Sequence, residues 1–133
     1  MWGLARLTPR LAIAIPGRLA LFGAIAVIGV GVAAAGVIAF KRAGTTVNPL
    51  TPEESSALVV SGIYSRTRNP MYLGMALVLA GWAVFLANPL ALAGLAAFVI
   101  YIDRFQIRPE ERALRSLFGA AYEAWRARVR RWL

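Results

Sequence analysis

LALFGAIAVIGVGVAAAGVIAF, residues 19–40, and MYLGMALVLAGWAVFLANPLALAGLAAFVIYI, residues 71–102, contain no charged side chain. The first block is 22 residues long. As a helix rising ~1.5 Å per residue it reaches about 33 Å, enough to cross a hydrocarbon core of about 30 Å. It stops at Lys41-Arg42. Small residues recur within it at Gly23, Gly29, Gly31, Ala35 and Gly36, which predicts the close approach of a second helix in lipid. The block is longer than the roughly 7–15 apolar residues of a signal peptide, so it reads as a retained span. The second block, as one helix, would measure about 48 Å, too long for a single crossing. Asn88-Pro89 interrupts it, because proline breaks a helix and biases the residue before it. The block therefore reads as a helical hairpin, roughly 70–87 out and 89–104 back, with both ends on one side. Each arm is short, which local bilayer thinning or burial against other helices accommodates.

Working outward, the whole chain has 133 residues, one domain's worth, with 59% hydrophobic and only 16% charged residues. Its mean hydropathy is +0.64. A soluble domain carries about 25% charge. The expected fold is an all-α integral membrane protein of about three transmembrane helices: one span plus a helical hairpin. The segments are an N-terminal stretch 1–18, the span 19–40, a cytosolic loop 41–70, the hairpin 71–102 and a cytosolic C-terminal helix 103–133. The net charge is +9, and all charges lie in 1–18, 41–70 and 103–133. That distribution indicates basic membrane flanks and excludes a nucleic-acid-binding domain. Segments 41–70 and 103–133 hold 12 of the 15 basic residues, so the positive-inside rule places them in the cytoplasm. The N-terminus is then outside, against the preference of Arg6, Arg10 and Arg18; a re-entrant 1–17 would relieve the conflict. Cysteine and histidine are both absent. This removes disulfides, thiolate nucleophiles and the commonest metal ligand and acid–base group.

The polar segments carry their own signals. Residues 43–62, with two prolines and many Ser/Thr, read as an extended loop. Asn69-Pro70 starts the hairpin, with Asn69 as N-cap and Pro70 at the first helical position. From about Pro109, residues Leu114, Leu117, Phe118, Ala121, Tyr122, Trp125 and Val129 recur at helical spacing. Glu111 and Arg115 form an i,i+4 pair in the favourable order. Residues 126–133, rich in Arg and flanked by Trp125 and Trp132, read as an interfacial anchor.

Three features exceed the needs of an anchor. Tyr64, Arg66, Arg68 and Tyr72 cluster beside a helix N-terminus, a good place for an anionic group. Glu110 and Glu111 open a second helix where the hairpin returns to the same side. The hairpin brings both clusters to one membrane–water boundary, where a zwitterionic or cationic cofactor fits. Taken singly, the arginines are topology markers, the glutamates serve the helix dipole and the aromatics belong to the interfacial belt. Composition and spacing alone specify no reaction.

Gly62-x-Tyr64-x-x-x-Arg68-Asn69-Pro70-x-Tyr72-x-Gly74 resembles the pattern G-x-Y-x-x-x-R-[HN]-P-x-Y-x-G. Glu110-Glu111-x-x-Leu114-x-x-x-Phe118-Gly119-x-x-Tyr122 resembles E-E-x-x-L-x-x-x-F-G-x-x-Y. In this order, separated by a hairpin, both patterns occur in the membrane methyltransferases related to isoprenylcysteine carboxyl methyltransferase and phospholipid methyltransferases. Thr45-Thr46-Val47-Asn48-Pro49 and Arg128-Val129-Arg130-Arg131-Trp132 are similar to bacterial members. The resemblance covers roughly residues 18–133.

It implies S-adenosylmethionine as cofactor and a cytosolic pocket lined by Tyr64, Arg68, Asn69, Pro70, Tyr72, Gly74 and Tyr122. Glu110 and Glu111 would bind the cofactor's polar groups and Arg68 its methionyl carboxylate. Arg68 and Glu111 are the expected catalytic residues, Glu111 as base if the acceptor is an amine or hydroxyl. A sulfonium methyl is already activated, so the site need only align the acceptor, and His and Cys are dispensable. The resemblance further implies a lipophilic or lipid-linked acceptor entering from the bilayer, no metal, and residence in a bacterial inner membrane with the site facing the cytoplasm. Homo-oligomerisation stays open. The chain departs from the pattern at Asn69, a histidine in many members, and at Gln106 and Arg108, where eukaryotic relatives often place an arginine differently. Its N-terminal part is shorter than in many relatives, as in a minimal form or one whose start is set downstream. Prenylated proteins are not the expected acceptors. Two other readings compete: an NADPH-dependent membrane reductase, disfavoured because Met75 follows Gly74 where H-P-N-Y-x-G-E has glutamate, and a non-catalytic membrane subunit or oligomer. A proton-coupled exporter needs an acid within a span, and neither apolar block has one.

Overall fold

The computed structural model describes residues 1–45 and 54–133. The Thr46–Pro49 part of the bacterial-like stretch, and much of the expected 43–62 loop, lie outside the described residues. Five α-helices follow in order: α1 (Trp2–Leu7), α2 (Arg18–Arg42), α3 (Pro70–Leu86), α4 (Ala91–Ile102) and α5 (Arg108–Arg128). Single 3-10 turns stand at Pro9–Leu11 and Gly62–Ser65, and a π-helical turn at Asp103–Ile107 joins α4 to α5. No strand occurs among the described residues.

α2 is long and apolar enough to cross a membrane; α3 is apolar but shorter. Their lengths of 25 and 17 residues, with 12 for α4, correspond to about 38, 26 and 18 Å. α3 and α4 are separated at the Asn88-Pro89 break and are unequal in length. α2 and α3 run antiparallel in close contact through glycines. A methyl group on Gly29 would lie 2.6 Å from the Gly74 carbonyl oxygen, and one on Gly36 would lie 3.0 Å from the Pro70 ring. Gly81 receives Ile25 and Phe22 in the same way. Gly23 and Gly31, expected at the same seam, face open space instead. The seam follows the seven-residue spacing of Gly29/Gly36 and Gly74/Gly81, so the other two glycines point elsewhere on the helix.

The α3–α4 turn is held from below by the N-terminal stretch. Ala87 turns the chain with φ 49°. Asn88 Nδ2 donates to the Thr8 carbonyl and hydroxyl at 3.0 and 3.1 Å, and the Ile13 amide donates to the Ala87 carbonyl at 2.7 Å. Residues 1–17 therefore sit at the hairpin-turn end of the bundle. Arg6 stacks over Trp2 and Arg18 over Phe85 at this end.

The other end differs from the sequence reading in four respects. α4 does not stop before the polar segment but continues through the π turn into α5. Pro109 lacks an N–H and would crowd the carbonyl four residues earlier, which a wider turn relieves. α5 is not one regular helix either: Gly119 sits at φ 47°, ψ −117°. Only glycine adopts that conformation without strain, and it rephases the apolar stripe, leaving Leu117 exposed while Tyr122 and Trp125 are buried. Val129 is buried but lies past the helix end. The anchor reading of Trp125 fails: its indole is 4% exposed and Nε1 donates to the Tyr64 carbonyl at 3.0 Å.

Candidate active site

The site lies where the Phe40 end of α2, the start of α3 and the start of α5 converge. Its frame is a small aromatic core of Tyr64, Tyr122 and Trp125 with Val59 and Val129. Phe40 meets Tyr64 edge-on at 5.2 Å between ring centres, and Tyr122 meets Trp125 at 5.9 Å. The C-terminal tail runs beside residues 66–69 and closes one side. The Arg68 amide donates to the Arg130 carbonyl at 3.0 Å. Thr67 Oγ1 and Asn69 Nδ2 donate to the Arg131 carbonyl at 3.3 and 2.9 Å. Asn69 is thus not the expected side-chain N-cap of α3. The residue is buried and its Nδ2 is held by the tail, which orients the side chain away from a cap.

The charged residues separate into two groups. Glu111 is bracketed by two guanidiniums: Arg68 Nη1 at 3.0 Å on Oε1, and Arg131 Nε and Nη2 at 3.1 and 2.7 Å on the two oxygens. Arg131 also reaches Asp103 Oδ1 at 2.8 Å, and Asp103 accepts from Arg108 at 3.0 Å. The expected Glu111–Arg115 pair does not form; Arg115 turns to Glu123. The reason is geometric: Glu111 faces inward toward the loop and tail, where a bidentate arginine competes better than an exposed neighbour. Arg68 Nη1 further donates to Tyr122 Oη at 3.4 Å, while its buried Nε has no partner among the described residues.

Glu110, one residue away, has no cation among the described residues. Tyr72 Oη donates to its Oε1 at 2.5 Å and Gln106 Nε2 donates to the same oxygen at 2.9 Å. Burial pushes its carboxyl above the ordinary carboxylate range; the two hydrogen bonds oppose this and the neighbouring Glu111 charge adds to it. Burial also raises the Tyr64 and Tyr122 phenols, so both stay protonated donors at neutral pH.

These groups surround a small pocket with about 70 Å³ of enclosed space, which opens onto solvent. Tyr64, Arg68, Asn69, Tyr72, Glu110, Glu111 and Tyr122, all expected at the site, line it. Pro70 and Gly74 do not. Pro70 packs on Gly36, and Gly74 packs on Gly29 and Ala33 of α2. Sequence reasoning did not give a site role to Phe40, Met71, Gln106 or Arg131. Arg131 was legible only as one arginine among several in a basic tail. One helical turn beyond Met71, an apolar groove opens between α2, α3 and α4, lined by Ala33, Val37, Met75, Val78 and Phe98 among others.

Residues 18–121 match the family model described as phospholipid methyltransferase. An uncharacterized protein of Haemophilus influenzae is 44% identical over 63 residues, which are 47% of this chain and all of that protein. A protein-S-isoprenylcysteine O-methyltransferase of Xenopus laevis is 36% identical over 68% of this chain and 33% of its own length. Protein-S-isoprenylcysteine O-methyltransferase A of Arabidopsis thaliana is 33% identical over 76% of this chain and 52% of its own length. The chain thus spans a third to a half of the named methyltransferases it matches. No solved structure matches. The helical bundle, the paired polar clusters at its end and the match across most of the chain lead to one conclusion: the protein belongs to the phospholipid methyltransferase family, with the isoprenylcysteine methyltransferases among its relatives.

Proposed function

We propose that the protein transfers a methyl group from S-adenosylmethionine to a lipophilic or lipid-linked acceptor at the membrane surface where α3 and α5 begin, facing the cytoplasm. One observation carries this reading. The pocket offers a half-buried carboxylate without a cation, Glu110, and a buried guanidinium nitrogen without an acceptor, Arg68 Nε. Both statements refer to the described residues. Two unmet needs of opposite sign in one aromatic-walled pocket suit a zwitterionic ligand with a cationic centre.

In this reading Arg68 holds the carboxylate of the ligand's amino-acid part, and Glu110 stabilises its positive charge. Tyr64, Tyr122 and Trp125 exclude water around it. When bound, S-adenosylmethionine supplies an activated methyl group, so the protein needs only to align the acceptor for attack. Where the acceptor must lose a proton, Glu110 is better suited than Glu111: its proton affinity is raised, and no guanidinium occupies its oxygens. The apolar groove between α2, α3 and α4 gives the acceptor's hydrocarbon part a route from lipid.

The test is calorimetric binding of S-adenosylmethionine and S-adenosylhomocysteine to the detergent-purified chain, with NADPH as control. Binding of the first two alone is expected, followed by transfer of labelled methyl into a membrane lipid extract. Binding of NADPH alone would replace this reading with a reductase.

A further inference from the structure

Arg131 stands two residues before the C-terminus, yet it joins three parts of the site. Its side chain takes both oxygens of Glu111 and one of Asp103, and its carbonyl takes the side chains of Thr67 and Asn69. Arg68 shares Glu111 through a single nitrogen at 3.0 Å. The remaining contact of the Arg68 side chain is long, 3.4 Å to Tyr122 Oη.

The two arginines are therefore unequal partners of one carboxylate. Arg131 is bidentate, the stronger geometry; Arg68 is monodentate. If an anionic ligand draws Arg68 away, Glu111 keeps a full guanidinium and stays compensated. If Arg131 were missing, Arg68 would be the sole cation on a mostly buried carboxylate. Releasing it would then strand a charge at high cost. An incoming carboxylate would compete with Glu111 for Arg68 instead of finding it available.

We propose that Arg131 is a positioning residue that holds Glu111 so that Arg68 is free to bind the carboxylate of an amino-acid-bearing nucleoside ligand. This rests on the reading given under Proposed function, and it makes Glu111 the counter-ion of the site, not a direct ligand of the cofactor.

The test uses the full chain in detergent and two probes. S-Adenosylhomocysteine carries the carboxylate; 5′-methylthioadenosine has the same nucleoside and a thioether but no amino-acid part. Arg131→Gln leaves the main-chain clasp to Thr67 and Asn69 in place. It is expected to weaken S-adenosylhomocysteine binding about tenfold, the scale of one charge-assisted hydrogen bond, and methylthioadenosine binding less than about twofold. Arg131→Lys, with a point charge in place of a fork, falls between, and serves alone if the glutamine variant does not fold. Adding Glu111→Gln to the Arg131→Gln variant removes the competing carboxylate and is expected to restore S-adenosylhomocysteine binding to within about threefold of the parent. Equal weakening of both probes, or no recovery in the double variant, would overturn the proposal and leave Arg131 a fold-shaping residue. A parent protein that binds neither probe would instead sink the underlying methyltransferase reading.

Discussion

Gly74 is the residue at which resemblance and structure disagree most sharply, and replacing it by alanine separates the two. The resemblance makes it a pocket residue; the structure makes it the point where α3 touches α2. A Cβ built on Gly74 collides with the Gly29 carbonyl oxygen and comes within 2.7 Å of Ala33 Cβ and 2.8 Å of the Ala33 amide. Two of these three atoms are backbone, so the helices must move apart by several tenths of an ångström. Overpacking of this kind costs about 1–3 kcal/mol. The gain in helix propensity from Gly to Ala returns roughly 0.8–1 kcal/mol. The net loss is about 0–2 kcal/mol, or up to roughly 8 °C in melting temperature for a chain of this size. Gly29→Ala meets the Gly74 carbonyl at 2.6 Å and should lose a similar amount. Gly23→Ala and Gly31→Ala meet nothing within 4 Å and should be neutral or slightly stabilising. Because Gly29→Ala and Gly74→Ala spread the same contact, the double variant should lose less than their sum. Thermal unfolding in detergent, followed by tryptophan fluorescence, gives all five values. A Gly74→Ala variant as stable as Gly31→Ala, but unable to bind S-adenosylhomocysteine, would refute the helix-contact account.

Other predictions concern the site and its frame. Burial raises the Glu110 carboxyl, so the folded state holds its proton more tightly than the unfolded chain does. The resulting stabilisation is complete below the ordinary value of 4.5 and fades as pH rises through the folded value. Glu110→Gln should thus melt higher than the parent at neutral pH, with the gap closing toward pH 4; a gap independent of pH would refute this. Gly119→Ala keeps ample space but forces a side chain to φ 47°, so about 1–2 kcal/mol should be lost in the same melt. Trp125→Phe keeps the ring but deprives the Tyr64 carbonyl of its donor, which should cost about 1–3 kcal/mol of stability.

Much of this architecture was legible in the sequence because it rests on local rules. A charge-free block of spanning length, an Asn88-Pro89 break and a row of small residues need no tertiary information. Four features escaped for identifiable reasons. The π turn at Asp103–Ile107 reflects how Pro109 is accommodated in a helix that continues, and proline reads equally well as a start. The Gly119 kink is invisible to a periodicity count, which assumes one phase throughout. The tail contacts of Asn69, Thr67 and Arg131 join positions more than sixty residues apart, and nothing in a basic C-terminus distinguishes the arginine that turns inward. Trp125 has an apolar ring and one N–H, a profile that suits a membrane interface as well as a core. Only its bond to the Tyr64 carbonyl separates the two.

The adjacent glutamates show how the fold gives one residue type two roles. On a regular helix, neighbours point about 100° apart, so Glu110 and Glu111 cannot face the same partners. The unbroken path from α4 through the π turn fixes which faces they take. Glu110 is turned toward α3 and Tyr72, where the hydrogen-bond partners shown for it, Tyr72 and Gln106, are neutral. Glu111 is turned toward the loop and tail, where two arginines meet it. The first is consequently the group with a raised proton affinity, while the second is held between two guanidiniums. A chain without histidine or cysteine thus still presents a carboxylate of raised proton affinity and, among the described residues, a guanidinium nitrogen without an acceptor in one pocket. Exchanging the faces would remove both. With Glu110→Gln and Glu111→Gln compared side by side, the first should impair accommodation of the ligand's positive charge, so that S-adenosylmethionine binding falls more than S-adenosylhomocysteine binding. The second should leave that ratio unchanged. Identical ratios in the two variants would mean that the division of labour between the glutamates is wrong.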